Sequence, residues 1–297
     1  MKVHTLDLRF QGQPQIIAAY LVECGPELAL IETGPGSTLP ALLDGIRALG
    51  FSPDAVKHVF VTHIHLDHAG AAGWWAQQGA TLFAHPKATP HLLDPSKLIE
   101  SAQRIYAERM ETLWGSLLPA PAERVVPLAD GQQVKVGTLT FTAIDTPGHA
   151  RHHHAYACND ACFTGDVAGM KLPQCRYLSV TAAPPQFDPV AYGDSLQRLH
   201  EANFAQLYLT HFGPVGDVSR HLSQYAMRVE QVHECVETLL AEGLRGEALR
   251  EAFGRTEHAL AREQGVSDED WLRYEGANGT AMCADGIALF CEKHAAR

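Results

Sequence analysis

The stretch THIHLDHAG, residues 62–70, is a dense group of potential metal ligands. It places His63, His65, Asp67 and His68 within six consecutive positions. Alternate side chains of an extended loop lie on the same side, so His63 and His65 can bind one metal ion while Asp67 and His68 face a neighbouring position. Two ligands per ion are too few, because catalytic zinc generally takes three protein ligands and leaves one position for water. The stretch therefore predicts further ligands elsewhere in the chain.

The sequence around this stretch has the pattern of an α/β protein. Apolar runs at 16–23 and 27–32 predict two strands, and residues 39–49 carry apolar side chains at helical spacing. A run at 57–62 predicts the strand that leads into the histidine-rich stretch. Such architectures collect reactive groups on loops beyond strand ends. The later strand-like runs are 81–85, 134–145, 154–158, 161–166 and 206–213.

Three further potential ligands lie at predicted strand ends: His149 in DTPGHA, Asp166 in TGD and His211 in THFG. With them, two three-residue sites and one bridging carboxylate can be assembled. Ions bridged in this way lie about 3.5–4 Å apart, and a water between them becomes a hydroxide nucleophile at neutral pH. The predicted groups are His63, His65 and His149 for one ion, Asp67, His68 and His211 for the second, and Asp166 as the bridge.

In this order, the motifs HIHLDH, TPGH, TGD and THFG resemble the successive ligand motifs of the metallo-β-lactamase superfamily. The resemblance covers roughly residues 16–213. It implies an α/β (α+β) fold, a four-layer αββα sandwich with the binuclear site along one edge. It also implies that Glu32 is a partner of the metal-loop backbone or of a ligand histidine. His153 occupies a place where relatives often have a Ser or His close to the site.

Two segments do not fit a plain sheet. Residues 86–123 carry apolar side chains at helical spacing and predict a helical insertion. Residues 215–297 predict a helical C-terminal extension packed on a catalytic domain of residues 1–214. Whether either segment forms the substrate pocket stays open. Tyr177, in a proline-rich loop, is a candidate for holding a substrate carbonyl.

Composition excludes several classes of partner and compartment. The formal net charge of −11 repels polyphosphate backbones, so nucleic acid is not expected as a partner. The seven cysteines have no CxxC spacing, and this indicates reduced thiols rather than a disulfide framework. The N-terminus lacks an apolar signal region, and no apolar run reaches membrane-spanning length. We therefore expect a cytoplasmic protein without a membrane partner; homo-oligomers are compatible with the amphipathic C-terminal helices.

These observations predict a hydrolase of a small ester, thioester or lactone that uses two divalent metal ions. Zinc is the expected metal, and the ligands also accept manganese or iron. Asp67 is expected to be catalytic, as a ligand that also orients the attacking hydroxide and moves its proton. The alternatives are an iron-dependent oxidoreductase on the same fold and a metal-stabilised binding protein without activity.

The substrate stays open within this class. The bridging aspartate resembles that of glyoxalase II and of the acyl-homoserine lactonases. However, the segment 165–177, GDVAGMKLPQCRY, lacks the Gly-Cys-Gly-Arg loop usual in glyoxalase II. Gly169 also stands where many lactonases have a tyrosine.

Overall fold

The computed structural model describes residues 1–295. They form two compact units, which are described separately below. The first contains Met1–Asp145 and His152–Gly165, and the second contains Thr146–Arg151 and the chain from Asp166 onward. These divisions differ from the boundary predicted at residue 214, which stays a prediction.

The first unit begins with a six-stranded sheet whose strands are neighbours in chain order. Its first three strands pair antiparallel, and each later strand pairs parallel to the one before it. The first and last strands were not predicted from the sequence, because neither is a sustained apolar run. The strands are β1 (Lys2–Asp7), β2 (Ala18–Cys24), β3 (Glu27–Ile31), β4 (Val56–Phe60), β5 (Thr81–Ala84) and β6 (Val125–Pro127).

A second, antiparallel sheet in this unit contains β7 (Gln133–Val136), β8 (Leu139–Asp145), β9 (His154–Cys158) and the start of β10 (Ala161–Met170). The single strand predicted over 134–145 is therefore wrong. Gly137, with a φ of 53°, turns the chain between β7 and β8, and this left-handed conformation is one that glycine adopts without steric cost.

The two sheets of the first unit pack face to face. The rings of Phe60 (β4) and Phe141 (β8) have centroids 4.7 Å apart, and Tyr20 (β2) lies 5.5 Å from Phe163 (β10). The hydroxyl of Tyr156 (β9) donates to the carbonyl of Val61 at 3.0 Å. Aromatic side chains with large buried area thus join the sheets. The predicted fold class, mixed α and β with two packed sheets, is confirmed.

The helices of the first unit include the predicted insertion between β5 and β6. Three short helices and intervening turns occupy that insertion, as the helical spacing over 86–123 indicated. The helices are α1 (Leu39–Ala48), α2 (Leu66–Ala69), α3 (Ala72–Gln77), α4 (Thr89–Leu93), α5 (Ser96–Tyr106) and α6 (Met110–Trp114).

The second unit contains the end of β10, two further strands and five helices. Its strands are neighbours in the order β12, β11, β10. Beyond Val215 the described chain is helical, as predicted. The elements are α7 (Pro189–Glu201), β11 (Gln206–His211), β12 (Gly213–Val215), α8 (Val218–Ala241), α9 (Gly246–Glu263), α10 (Asp268–Ala277) and α11 (Thr280–Ala295).

Two other expectations concern the chain as a whole. All seven cysteines are free thiols, and five of them are buried. Burial raises the pKa of the Cys24 thiol to about 12, so this side chain stays protonated at neutral pH. Among the helices described here, none has both the length and the apolar character needed to cross a bilayer.

Candidate metal centre

The four candidate ligands of the first unit lie between the end of β4 and the first turn of α2. The chain leaves β4 after Phe60, and α2 begins at Leu66. The ring centroid of His63 is 4.5 Å from that of His65 and 4.0 Å from that of His68. Asp67 Oδ2 lies 3.5 Å from His68 Nε2. The loop therefore brings three imidazoles and one carboxylate together, as the spacing predicted.

Glu32, one residue after β3, fixes the protonation of two of these histidines. Its Oε1 accepts a hydrogen bond from His68 Nδ1 at 3.0 Å and another from the Thr62 hydroxyl at 2.5 Å. Since Thr62 has only one hydroxyl hydrogen, its oxygen must accept the 3.0 Å hydrogen bond from His63 Nδ1. Both rings are thus held with Nδ1 protonated, which leaves the lone pair of each on Nε2.

Glu32 also anchors the metal-binding loop itself. Its Oε2 accepts a hydrogen bond from the backbone N–H of Thr62 at 3.3 Å. The carboxylate is almost completely buried, with an exposed fraction of 1%. One side chain thus bonds the loop backbone, holds the His68 ring directly and holds the His63 ring through Thr62.

We expect Glu32→Gln to lower the affinity for divalent metal by about 10- to 100-fold. Glutamine has one oxygen, so it cannot accept both from the Thr62 and His68 side chains at one position and from the Thr62 backbone N–H at the other. Either the histidine tautomers or the loop backbone therefore loses its acceptor. Competition with a chromophoric zinc chelator measures the affinity. Glu27→Gln is the matched control, because the exposed Glu27 also contacts a histidine, the partly buried His58, at 2.8 Å. Equal affinities of the two variants would contradict the assignment.

The second unit contains the other three candidate ligands, grouped around one carboxylate. His149 Nε2 lies 3.3 Å from Asp166 Oδ2, and His211 Nε2 lies 3.4 Å from Asp166 Oδ1. All three side chains are buried. Each oxygen of Asp166 therefore faces a different histidine, which suits a carboxylate that bridges two ions. His211 ends β11 as predicted, but Asp166 lies inside β10 rather than at a strand end, because β10 continues to Met170.

Thr181 and Tyr192 hold this cluster in place, and neither was identified from the sequence. His149 Nδ1 donates to the carbonyl of Thr181 at 3.0 Å. The Thr181 and Tyr192 hydroxyls both donate to the backbone carbonyl of Asp166, at 3.0 and 3.1 Å. A lone threonine and a lone tyrosine carry no motif, so only their position in the fold indicates this role.

The donor set fits divalent cations. His149 is protonated on Nδ1, so a neutral ring points the lone pair of Nε2 at a carboxylate oxygen of Asp166. His68 does the same toward Asp67. Two lone pairs at 3.3–3.5 Å repel each other unless a proton or cation lies near both. Imidazole nitrogen and carboxylate oxygen are the ligands that zinc, manganese and iron(II) accept.

His153 and Gly165 lie close to the first ligand. The His153 ring centroid is 4.9 Å from that of His63, and the side chain is fully buried. A Cβ on Gly165 would lie 2.5 Å from the Thr62 hydroxyl oxygen and 2.7 Å from His153 Nε2. The glycine of the TGD motif is therefore needed for this close approach, and its φ of 51° is one that other residues rarely adopt.

Tyr177 lies in a different environment from the one expected. It is fully buried in the second unit, and its hydroxyl donates to Glu257 at 2.6 Å. The guanidinium of Arg228 lies 5.7 Å from the centroid of its ring. This placement engages the hydroxyl inside the unit and does not support contact with a substrate carbonyl.

Tyr106, at the end of α5 in the insertion, is electrostatically linked to Asp67. Burial, with a contribution from the negative charge of Asp67, raises the pKa of the Tyr106 phenol to about 12. The phenol is therefore neutral at physiological pH and keeps its proton for hydrogen bonding. The insertion thus brings a hydroxyl donor into the neighbourhood of a candidate catalytic carboxylate.

A further group, His85, Asp145 and His154, has ligand atoms within 4.8 Å of one another in the first unit. The backbone N–H of Lys87 donates to His85 Nδ1 at 2.9 Å, so the hydrogen of the neutral ring is on Nε2. That nitrogen lies 3.2 Å from Asp145. Burial lowers the pKa of His85, which favours this neutral form. These two contacts of the His85 ring account for its burial and indicate a structural role.

Comparison with known proteins identifies the family. The model of the metallo-beta-lactamase superfamily matches residues 12–207, more than half of the chain. The chain belongs to this superfamily, and the resemblance inferred from the four motifs is confirmed.

The individual relatives have low sequence identity to this chain. A metallo-beta-lactamase fold-containing protein of Sulfurisphaera tokodaii is 27% identical over 69% of this chain and 81% of the relative. An atrochrysone carboxyl ACP thioesterase of Aspergillus fumigatus is 26% identical over 77% of this chain. The chain spans only 46% of that thioesterase and 64% of a lactamase-like protein from the same fungus.

Solved structures show the same fold. A metallo-beta-lactamase family protein of Thermus thermophilus aligns with a TM-score of 0.71 at 20% identity, covering 99% of this chain and 94% of that protein. At this identity the likeness establishes the architecture alone.

Proposed function

We propose that this protein is a binuclear metal-dependent hydrolase that acts on thioesters. The observation that supports this most directly is the protonation pattern of the candidate ligands. His63, His68 and His149 each use Nδ1 to donate a hydrogen bond within the protein, and each keeps the lone pair of Nε2 for a cation. A neutral imidazole that donates through Nδ1 and has its lone pair on Nε2 is a form that binds a metal ion.

Seven side chains would hold the two ions, and zinc is the proposed metal, with manganese and iron(II) as alternatives. When bound, such ions polarise a carbonyl and acidify a water. Asp166 would serve both ions, since each of its oxygens faces a different histidine. The proposed ligands are His63, His65, Asp67, His68, His149, Asp166 and His211.

Asp67 is the proposed proton carrier of the reaction. Its side chain is 18% exposed, whereas that of the adjacent His68 is fully buried. A carboxylate in this position can accept the proton of the attacking water and direct the oxygen at the thioester carbonyl carbon. The C–S bond then breaks, and the same proton can pass to the departing thiolate. The hydroxyl of the water thus ends in the acid product, and its other proton ends in the thiol product.

The choice of thioesters over other acyl substrates draws on the relatives. The Aspergillus fumigatus protein is named an ACP thioesterase, and a protein of Emericella nidulans that is 31% identical over half of this chain is named a thioesterase. Both are considerably longer than the region they share with this chain. Lactones and oxoesters of the same acyl group are therefore the comparison substrates.

The proposal is tested by metal content and substrate preference together. Metal analysis of zinc-reconstituted protein is expected to give two ions per chain, and chelation should abolish turnover until metal is restored. The specificity constant, kcat/KM, for an acyl thioester should exceed that for the matching oxoester and homoserine lactone. Bound metal with no hydrolysis of any of the three would contradict the proposal, as would oxygen consumption by a protein that retains one iron.

A further inference from the structure

The second unit contains an open cavity that the motifs did not indicate. Its volume is about 910 Å³, within the range of about 300–1,000 Å³ typical of small-molecule sites. Four basic side chains line it, and Asp217 is the one carboxylate among the described residues that do so. The basic residues are Lys171, Arg176, Arg220 and Arg228.

Three of these cations lack an ion-pair partner among the described residues. Lys171, Arg176 and Arg220 form no ion pair within the part of the chain that the structure describes, and the two arginines are exposed. Like charges around one concavity repel each other, and a low-dielectric wall strengthens the resulting field. In a chain with a net charge of −11, such a concentration of positive charge favours an anionic ligand.

Arg228 differs from the other three because it is held by the protein. It pairs with Glu257, and its Nε donates to the carbonyl of Leu178 at 3.3 Å. Its Nη1 donates to Gln231 at 2.9 Å. His221 also lines the cavity, and burial lowers its pKa, so it adds no charge at neutral pH. Arg228 therefore forms a fixed wall, while the charges available to a ligand are those of Lys171, Arg176 and Arg220.

The chain that lines the cavity continues from β10 and β11, the two strands that carry Asp166 and His211. Lys171 follows the last residue of β10, and its backbone N–H donates to the carbonyl of His211 at 2.7 Å. Asp166 lies within β10, five positions before Lys171 along the chain. At about 3.3 Å per residue, this separation is no more than about 17 Å. A ligand with its anion beside Lys171 would therefore need an arm of at most about this length to reach Asp166.

We propose that this cavity binds the phosphate of a phosphopantetheine thioester. The arm between phosphorus and sulfur has twelve chain atoms, as many as the backbone of four residues of extended peptide, or about 14 Å. Its two amides need polar partners, and Gln224, Gln231 and Gln264 line the cavity beside the apolar Leu178 and Met227. This inference rests on the proposed thioester hydrolysis and specifies the carrier of the acyl group.

The test compares one acyl group on pantetheine with the same acyl group on phosphopantetheine. For the wild-type protein, kcat/KM should be about 10- to 100-fold higher with the phosphate, the effect of one or two charge-assisted contacts. In the triple variant Lys171→Gln/Arg176→Gln/Arg220→Gln, this ratio should fall close to one, through a higher KM. The pantetheine thioester should be hydrolysed as before. Arg255→Gln, at an exposed arginine of α9 outside the cavity, is the control for loss of a positive charge elsewhere on the surface.

Two natural sources present this arm, coenzyme A and acyl carrier proteins. A preference for either thioester over acyl-pantetheine supports the proposal and assigns the source. Equal kcat/KM for acyl-pantetheine and acyl-phosphopantetheine in the wild type overturns it, even where both are hydrolysed. An unchanged ratio in the triple variant overturns it as well.

A binding measurement separates this inference from the proposed activity. Calorimetric titration with free phosphopantetheine requires no turnover, and pantetheine is its uncharged comparison. Binding that depends on the phosphate, weakens with salt and is lost in the triple variant supports the cavity assignment even if no thioester is hydrolysed. Absence of phosphate-dependent binding rejects it even if thioesterase activity is present.

Discussion

Replacing Asp67 by alanine is expected to reduce kcat for thioester hydrolysis by about 10²- to 10⁴-fold, the usual contribution of a positioned general acid or base. The carboxylate lies 3.5 Å from His68 Nε2 and is partly exposed, so its removal takes away a ligand and a proton acceptor while opening little of the core. The folded state should persist. Steady-state kinetics with zinc-reconstituted protein, together with far-ultraviolet circular dichroism, measures both effects.

The control for Asp67→Ala is Asp268→Ala. Both carboxylates lie in the first turn of a helix, so each variant removes a negative charge from a helix N-terminus. Asp268 is exposed and belongs to no candidate site. Near-normal turnover in the Asp67 variant would remove this residue from the mechanism and with it the proposed hydrolysis.

Asp166→Asn is expected to lower turnover by at least about 100-fold, the upper end of effects seen when groups that merely orient metal ligands are changed. Asparagine has the same shape, and the backbone carbonyl of Asp166 remains bonded to Thr181 and Tyr192. The amide, however, offers one oxygen where the carboxylate offers two. We therefore expect fewer than two ions per chain by metal analysis.

The control for Asp166→Asn is Asp194→Asn, at an exposed carboxylate of α7. It removes the same charge from the same unit without touching the ligand cluster. Retention of two ions and full activity in the Asp166 variant would show that the carboxylate bridges nothing. A folded Asp166 variant that retains one ion would instead show that the carboxylate is needed at only one of the two metal sites.

Much of the candidate site follows from local sequence. The motif HIHLDH lies in one loop, and the side chains of neighbouring residues cannot be far apart. His63, His65, Asp67 and His68 can therefore be grouped from their spacing alone. The helical character of residues 86–123 and of the chain beyond Val215 was likewise predicted from side-chain spacing, because a helix repeats locally.

Errors arose where a strand depends on its neighbours. The run 134–145 reads as one strand, but the chain turns at Gly137 and pairs with itself as β7 and β8. β1 was missed because its sequence, KVHTLD, contains only two apolar residues without regular alternation, and its strand conformation comes from pairing with β2. Strand formation is decided by partners distant in sequence, which periodicity in a single segment does not report.

The sequence by itself determined the candidate ligands and the superfamily, because short contiguous motifs carry both. The two-sheet architecture followed from the superfamily. Only the tertiary structure decided the tautomers that Glu32 and Thr62 impose, the support of Asp166 by Thr181 and Tyr192, and the grouping of Lys171, Arg176 and Arg220 around one cavity. The reason is physical. A hydrogen-bond partner or a shared electrostatic field is defined by distance in space, and residues far apart in the chain acquire that distance only when the chain folds.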